Sequence, residues 1–238
     1  MYNKKSKRNG MWIAVKYKNV TEGIFLLRPN RFTAKVLIDG KEETVHVKNT
    51  GRCKEILIPG AKVILEKSDN SQRKTGYDLI SVYKGDRLVN MDSMLPNKVF
   101  YEYIPSFFGK TNLIKPEKTF NTSRFDFYIE QDERKIFAEV KGVTLEEDGV
   151  VKFPDAPTQR GVKHIKELCK AVEEGFEAYI VFIIQMKGAK YFTPNKATHP
   201  EFYSELKKAE KKGVKIYAID CDVKKDSVTV GKEIPVKF

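Results

Sequence analysis

The sequence predicts an α/β chain (α+β overall): a small five-stranded β-barrel followed by a three-layer α/β/α domain. Three observations carry this. Residues 20–84 hold short strand-like runs separated by turn chemistry, with no long helical period. Val162, Ile165, Leu168, Cys169 and Val172, and later Phe202, Tyr203, Leu206 and Ala209, fall at helical spacing. Between these two helices lies FEAYIVFIIQ (176–185), apolar almost throughout, as in a strand buried on both faces at the centre of a sheet.

The basic stretch 1–12, beginning MYNKKSKRNG, is followed by no apolar run or small-residue cleavage site, so it is expected to be a disordered tail, not a signal peptide. The barrel is expected over 13–88. RFTAKVLI (31–38) ends at Asp39-Gly40, a strong hairpin signal, and EETVHVK returns from it. NTGR with Gly51 marks a bend, and Pro59-Gly60 another before AKVILEK. The polar loop SDNSQRKTG (68–76) precedes YDLISVYKG. Five such strands match an oligonucleotide-binding (OB) barrel, a fold that grips strands with a basic groove and aromatic platforms. Arg28, Arg31, Phe32, Arg52, Arg73 and Lys74 supply that chemistry. Alternatively, Phe32 packs inside the barrel and the arginines are simply exposed.

Charge favours a polyanionic partner. The net charge is +12 and uneven: residues 1–90 hold 19 Lys and Arg against 9 Asp and Glu, while residues 91–238 hold 25 against 23. A basic first third attached to a near-neutral remainder suggests attraction to a polyanion, most simply nucleic acid; the alternative is a solvated surface with a basic tail, since five of those charges lie in residues 1–8 and 16.

The second domain is expected over 89–238. VNMDSMLPNKVFYEYI (89–104) holds a helix starting at Ser93 or Asn97, with Val99, Phe100, Tyr103 and Ile104 as its apolar stripe. Glu102 lies off that stripe, either a third acid for a site or a surface carboxylate. SFFGKTNLIKPEKTF (106–120) reads as a loop ending in an extended piece. RFDFYIE (124–130) and KIFAEVK (135–141) then alternate with period two and form a hairpin, with Phe125, Phe127 and Ile129 on one face. Glu139 and Lys141 share a face, and Asp126 lies across from them. Two adjacent carboxylates repel, and a hard divalent cation such as Mg²⁺ relieves this with one or two carboxylate ligands. There it would polarise a phosphodiester, with Lys141 acting on water or phosphate. The bland alternative is that both acids face solvent and Lys141 is an ion-pair partner.

Beyond the hairpin, Glu146 to Gly149 form a second turn with Val150 to Phe153 returning, and FPDAPTQRG leads into a helix. Gln159, Arg160, Lys163 and His164 lie on its first turns, where a helix favours phosphate; His164 either contacts substrate or is a packed helix residue. Gln185 ends the central strand facing the same edge. A helix from Pro200, the strand GVKIYAID and the extended edge SVTVGKEIPV complete a partly parallel sheet with right-handed crossovers.

Several classes are excluded. No apolar run reaches the ~18 residues that span a bilayer. Cys53, Cys169 and Cys221 are scattered with no C-x-x-C pair, which fits buried reduced thiols and a cytoplasmic setting. P-loop, G-x-G-x-x-G, G-x-S-x-G and H-E-x-x-H motifs are absent.

A helix, a hairpin carrying Asp then Glu-x-Lys, then helix, strand and helix resembles the layout of the PD-(D/E)XK nuclease superfamily. Further blocks extend the likeness: RFTAKV (31–36), VKNTGR (47–52), PGAKV (59–63), MLPNKV (94–99), SRFDF (123–127), AEVKGVTL (138–145), FPDAPTQRGVKHIKEL (153–168) and IPV (234–236). Together they are similar to the sugar fermentation stimulation protein family. That resemblance implies an OB barrel joined to a restriction-endonuclease-like domain, DNA as partner through backbone contacts, and a link to regulation of sugar metabolism genes. It places a nuclease motif on Asp126, Glu139 and Lys141, with Glu102 as a possible fourth member and Mg²⁺ or Mn²⁺ as the implied cofactor. Two other outcomes stay open: a non-catalytic DNA-binding regulator, and a module for a small anionic sugar phosphate.

Overall fold

The structure, a computed structural model, describes residues 14–49 and 51–238; the expected tail at 1–12 lies outside them. After β1 (Val15–Lys16) come β2 (Val20–Asn30), β3 (Thr33–Ile38), β4 (Lys41–Val47), β5 (Lys62–Lys67), β6 (Tyr77–Lys84) and β7 (Arg87–Asn90). Antiparallel pairing runs β4-β3-β2-β5-β6, and a parallel bridge of His46–Val47 with Asp78–Leu79 closes the five strands β2–β6 into a barrel. Inward positions carry small branched residues, Val36, Val45, Val63, Leu65, Leu79 and Val82, all fully buried. Asp39 and Gly40 both take positive φ (49° and 79°), as the tight turn between β3 and β4 requires.

The barrel seam has an ionic hub. Asp78 receives both guanidinium ends of Arg73 (2.6 and 3.0 Å), the His46 ring (2.9 Å) and Lys48 (3.2 Å). Burial works to raise the Asp78 pKa, but Arg73, His46 and Lys48 outweigh it and hold the carboxyl well below the usual range. A carboxyl depressed on folding contributes stability above its unfolded value of about 4 and loses it as pH falls toward the folded value. Asp78→Asn is therefore expected to cost about 1.5–3 kcal/mol at pH 7. In urea melts the gap from the parent protein should narrow as pH drops below about 4.

The second domain comprises α1 (Leu95–Phe107), β8 (Leu113–Phe120), β9 (Ser123–Gln131), β10 (Arg134–Val143), β11 (Glu146–Glu147), β12 (Val150–Phe153), α2 (Gln159–Glu173), β13 (Glu177–Ile184), β14 (Tyr191–Pro194), α3 (Pro200–Lys211), β15 (Lys215–Val223) and β16 (Ser227–Ile234). Its seven-stranded sheet runs β1-β16-β15-β13-β10-β9-β8, so the apolar stretch forms the central strand β13, parallel to β10 and β15. On one face Val162, Ile165 and Leu168 of α2 and Phe202 and Leu206 of α3 join Ile180 and Phe182 in one core. On the other, Val99, Phe100 and Ile104 of α1 join Phe127, Ile136 and Val181. Helices on both faces make three layers.

Four features depart from expectation. The stretch expected as a loop contains a full strand, β8, paired along β9; it is a sheet edge whose exposed and half-buried residues alternate, with Pro116 inside, so no apolar face announces it. β14, only four residues long, pairs in parallel with β12 in a separate three-stranded sheet. Val15 and Lys16 pair with β16, so the start of the expected barrel segment caps the edge expected to be open. Alternation in β9 also breaks: Phe127 packs on Phe100 of α1, whereas Phe125 packs on Phe120 and Phe137 on the opposite face.

Barrel and second domain are joined by a buried polar network. Gln185 Nε2 donates to Asn90 Oδ1 and the Asp92 carbonyl (both 3.0 Å), and Asn90 Nδ2 donates to the Tyr17 hydroxyl and Ser81 Oγ. Lys84 and Arg87 clasp the buried Glu146 from the barrel side. Each buried member has a partner, the condition under which such a network rigidifies an interface.

Candidate active site

The broken alternation in β9 has a cause that builds the site. Ladder pairing between β9 and β10 runs from Arg134↔Gln131 to Ala138↔Phe127 and stops. Asp126, the next residue, accepts the Val140 N–H on its Oδ2 (2.8 Å), so a side chain takes the place of a backbone acceptor and the strands part. Its Oδ1 accepts from Asn97 Nδ2 of α1 (2.8 Å), which fixes the carboxylate at the gap.

Glu139 sits opposite and is buried (2% exposed). Its Oε1 is held twice, by Lys141 Nζ at 2.5 Å and by the His164 ring of α2. Its Oε2 is buried and has no hydrogen-bond partner. The two carboxyls diverge in acidity. Burial pushes Asp126 up, and the Glu139 charge adds to this. For Glu139 burial acts in the same sense, but Lys141 and His164 outweigh it and hold the group below the usual range. A pair with divergent carboxyls, a half-buried lysine and an unused carboxylate oxygen is chemically poised.

His164 is thus neither solvated nor a surface reader of nucleic acid. It is buried, with Arg160 Nε 3.5 Å from its Nε2 and Nδ1 turned to Glu139. With Nε2 as the acceptor, Nδ1–H donates to the carboxylate. The α2 periodicity located the residue, but only the pairing of α2 with β10 shows what it touches.

Glu102 does not join the group. It lies five residues beyond Asn97, on a different face of α1. Burial raises its pKa. Among the described residues no group of three or more His, Cys, Asp or Glu side chains is placed to hold a metal ion. What remains is the two-carboxylate set of Asp126 and Glu139, enough for an ion that keeps most of its waters. The uncoordinated Glu139 Oε2 fits that role.

The basic residues fall into two groups. Arg28 is occupied: its guanidinium donates to the carbonyls of Arg31, Asn49, Gly51 and Arg52, pinning the loop after β4. Arg73 is occupied by Asp78. Those two therefore build the barrel: the Arg73 charge is paired with Asp78, and the Arg28 donors are spent on backbone carbonyls. Arg31, Arg52, Lys74, Arg160 and Lys163 are exposed, with Lys163 donating to the Thr122 carbonyl. Phe32 is 48% exposed, with the Arg31 guanidinium 4.8 Å above its ring, so it does not pack into the barrel. The three cysteines are buried and unpaired, and burial pushes the Cys53 thiol up to about 12. Among the described residues no helix is long and apolar enough to cross a membrane.

Comparison with known proteins agrees with this architecture. Residues 26–91 match the family model described as SfsA N-terminal OB domain, and residues 94–227 that of the sugar fermentation stimulation protein RE domain. A sugar fermentation stimulation protein homolog of Desulfitobacterium hafniense (strain DSM 10664 / DCB-2) is 62% identical over 225 residues, 94% of this chain and 99% of that protein. The homolog of Ruminiclostridium cellulolyticum is 56% identical over 226 residues, 94% and 100% of the two chains. A solved structure of Pyrococcus furiosus SfsA in complex with Ca²⁺ superposes with a TM-score of 0.87 at 31% identity, covering 96% of this chain and all of that one. The chain, an OB barrel carrying a restriction-endonuclease-like domain, therefore belongs to the sugar fermentation stimulation protein family.

Proposed function

We propose that this protein binds DNA through the basic rim of its barrel and hydrolyses phosphodiester bonds at Asp126, Glu139 and Lys141 with a divalent cation, Mg²⁺ or Mn²⁺. The observation that carries this is the buried, unpartnered Glu139 Oε2 on a carboxylate whose charge acts on Asp126, the residue that enters the ladder between β9 and β10. The Ca²⁺ reported with the Pyrococcus furiosus relative supports a hard-cation site, since Ca²⁺ and Mg²⁺ share a preference for oxygen ligands. A bound cation would supply the charge that polarises a phosphodiester and acidifies water. Asp126 and Glu139 would hold it. Asn97 fixes the first carboxylate, and His164 with Lys141 fixes the second so that Oε2 is the oxygen presented. Lys141 is the group that orients water or meets negative charge building on phosphate. Buried unpaired thiols are in keeping with a cytoplasmic setting. The test is cleavage of single- and double-stranded DNA with and without metal: metal-dependent product is expected, and none under any metal overturns the catalytic half.

A second reading, a regulator that binds DNA without cutting it, draws on one observation. Glu139 is already paired with the Lys141 ammonium and hydrogen-bonded to the His164 ring without a cation. It predicts a salt-sensitive complex indifferent to chelator.

Both readings share the barrel surface. Phe32→Ala is expected to cost about 1–3 kcal/mol of single-strand affinity by removing a stacking platform. Arg31→Ala is expected to lower the slope of log K against log salt by about one. Fluorescence anisotropy across a salt series measures both, and unchanged affinity in the two variants would remove this rim from the interface.

A further inference from the structure

Beside the carboxylates a cleft of about 310 Å³ opens between the two domains, lined among others by Asn49, Ser93, Gly142, Phe153, Thr158 and Gln185. Asp126, Glu139 and Lys141 are not among its walls, but Gly142 follows Lys141 directly along β10. Its volume sits at the lower end of small-ligand sites, roughly 300–1,000 Å³. The barrel supplies Asn49, the approach to α1 supplies Ser93, and the cap of α2 supplies Thr158.

Gln185 gives the cleft its chemistry. The side chain is buried (1% exposed), and its Nε2 donates to two acceptors, Asn90 Oδ1 and the Asp92 carbonyl. Turning the amide over would set an oxygen against both, so its orientation is fixed. Its Oε1 accepts from no described residue. A Cβ placed on Gly142 would come within 2.5 Å of that oxygen, which locates Oε1 at the cleft wall over a residue that has no side chain. An acceptor on the wall of the cleft is open to a donor from water or, in its place, from a ligand. Thr158, also on the lining, caps α2, whose first turn is free of acidic residues, an end that favours phosphate. Asp155, the carboxylate of the cleft, accepts the Arg52 N–H from the barrel side.

We infer that this cleft is a nucleotide subsite: it seats one unpaired nucleotide of the bound strand, next to the bond to be cut, with a base N–H on Gln185 Oε1, the base against Phe153 and the phosphate toward the first turn of α2. The inference rests on the DNA-processing reading above and narrows its substrate class. A base still paired and stacked in a duplex cannot enter a pocket, so the preferred substrate has single-stranded character at the site, as in strand ends or flaps.

The test uses the full chain and a single-stranded deoxyoligonucleotide carrying 5-iodouracil, crosslinked by light and mapped by mass spectrometry. Crosslinks to Phe153 are expected, together with tighter binding of the single strand than of the matching duplex. Ser93→Phe fills the cleft from an exposed position; it is expected to abolish the Phe153 crosslink, weaken single-strand binding about tenfold and leave crosslinks to Phe32 in place. Crosslinks confined to the barrel on the unsubstituted chain, or a Phe153 crosslink that survives Ser93→Phe, overturn the subsite while the DNA-processing reading stands. Absence of any binding to either form overturns both.

Discussion

Lys141→Ala is expected to lower metal-dependent phosphodiester hydrolysis by about 10²–10³-fold, the usual loss when one donor to a developing anion is removed. DNA affinity should change little, because the exposed cations of the barrel rim lie on other elements. Lys141 is suited to such a role by its surroundings. Its side chain is 15% exposed, and its Nζ is held 2.5 Å from Glu139 Oε1. The same contact gives the variant a second signature. Without Lys141, the buried Glu139 loses the largest influence opposing its burial, so its acidity weakens. Metal binding to the variant should therefore require higher pH, a shift readable by calorimetry without any turnover. Hydrolysis that persists in Lys141→Ala at the parent rate would assign the activity to another site or another protein.

His164→Ala is expected to weaken divalent-cation affinity about 10–100-fold, the magnitude typical for a residue that orients a metal-binding side chain. His164 reaches Glu139 across from α2 and holds Oε1, which leaves Oε2 for the cation. His164→Asn is expected to restore much of the affinity, because a carboxamide N–H can stand where the ring Nδ1–H stands. Glutamine places its N–H further out and should restore less. Mn²⁺ titration followed by electron paramagnetic resonance reads all three variants. Equal affinities in alanine and asparagine would mean that His164 serves packing against Phe125 and not the carboxylate.

Much of this was legible in the residues because local rules and the fold agree. The Asp39-Gly40 hairpin, the apolar β13 run, the α2 and α3 stripes and the β9–β10 hairpin that carries Asp126, Glu139 and Lys141 all follow from period and turn chemistry. What escaped reading is long-range or masked by exposure. β8 carries no apolar face, and β14 is a short partner found only through β12. Alternation placed Phe125 and Phe127 on one face; the Asp126 side chain, by entering the ladder, set them on two. Arginine counts cannot tell a loop-holding guanidinium from a free one, so Arg28 and Arg73 read as ligand contacts when they hold backbone and Asp78. His164 had the right helix but no visible partner, since its contact with Glu139 joins residues 25 apart in sequence.

The most direct measurement is an anomalous-scattering map from crystals of the full chain soaked in Mn²⁺. A peak in ligand contact with both Glu139 Oε2 and Asp126, absent in Glu139→Gln crystals, is the predicted result. A well-soaked crystal with no peak there, or with Mn²⁺ held only by other acids such as Glu55 or Asp155, would contradict the proposed metal centre and leave a DNA-binding protein with a non-catalytic carboxylate pair.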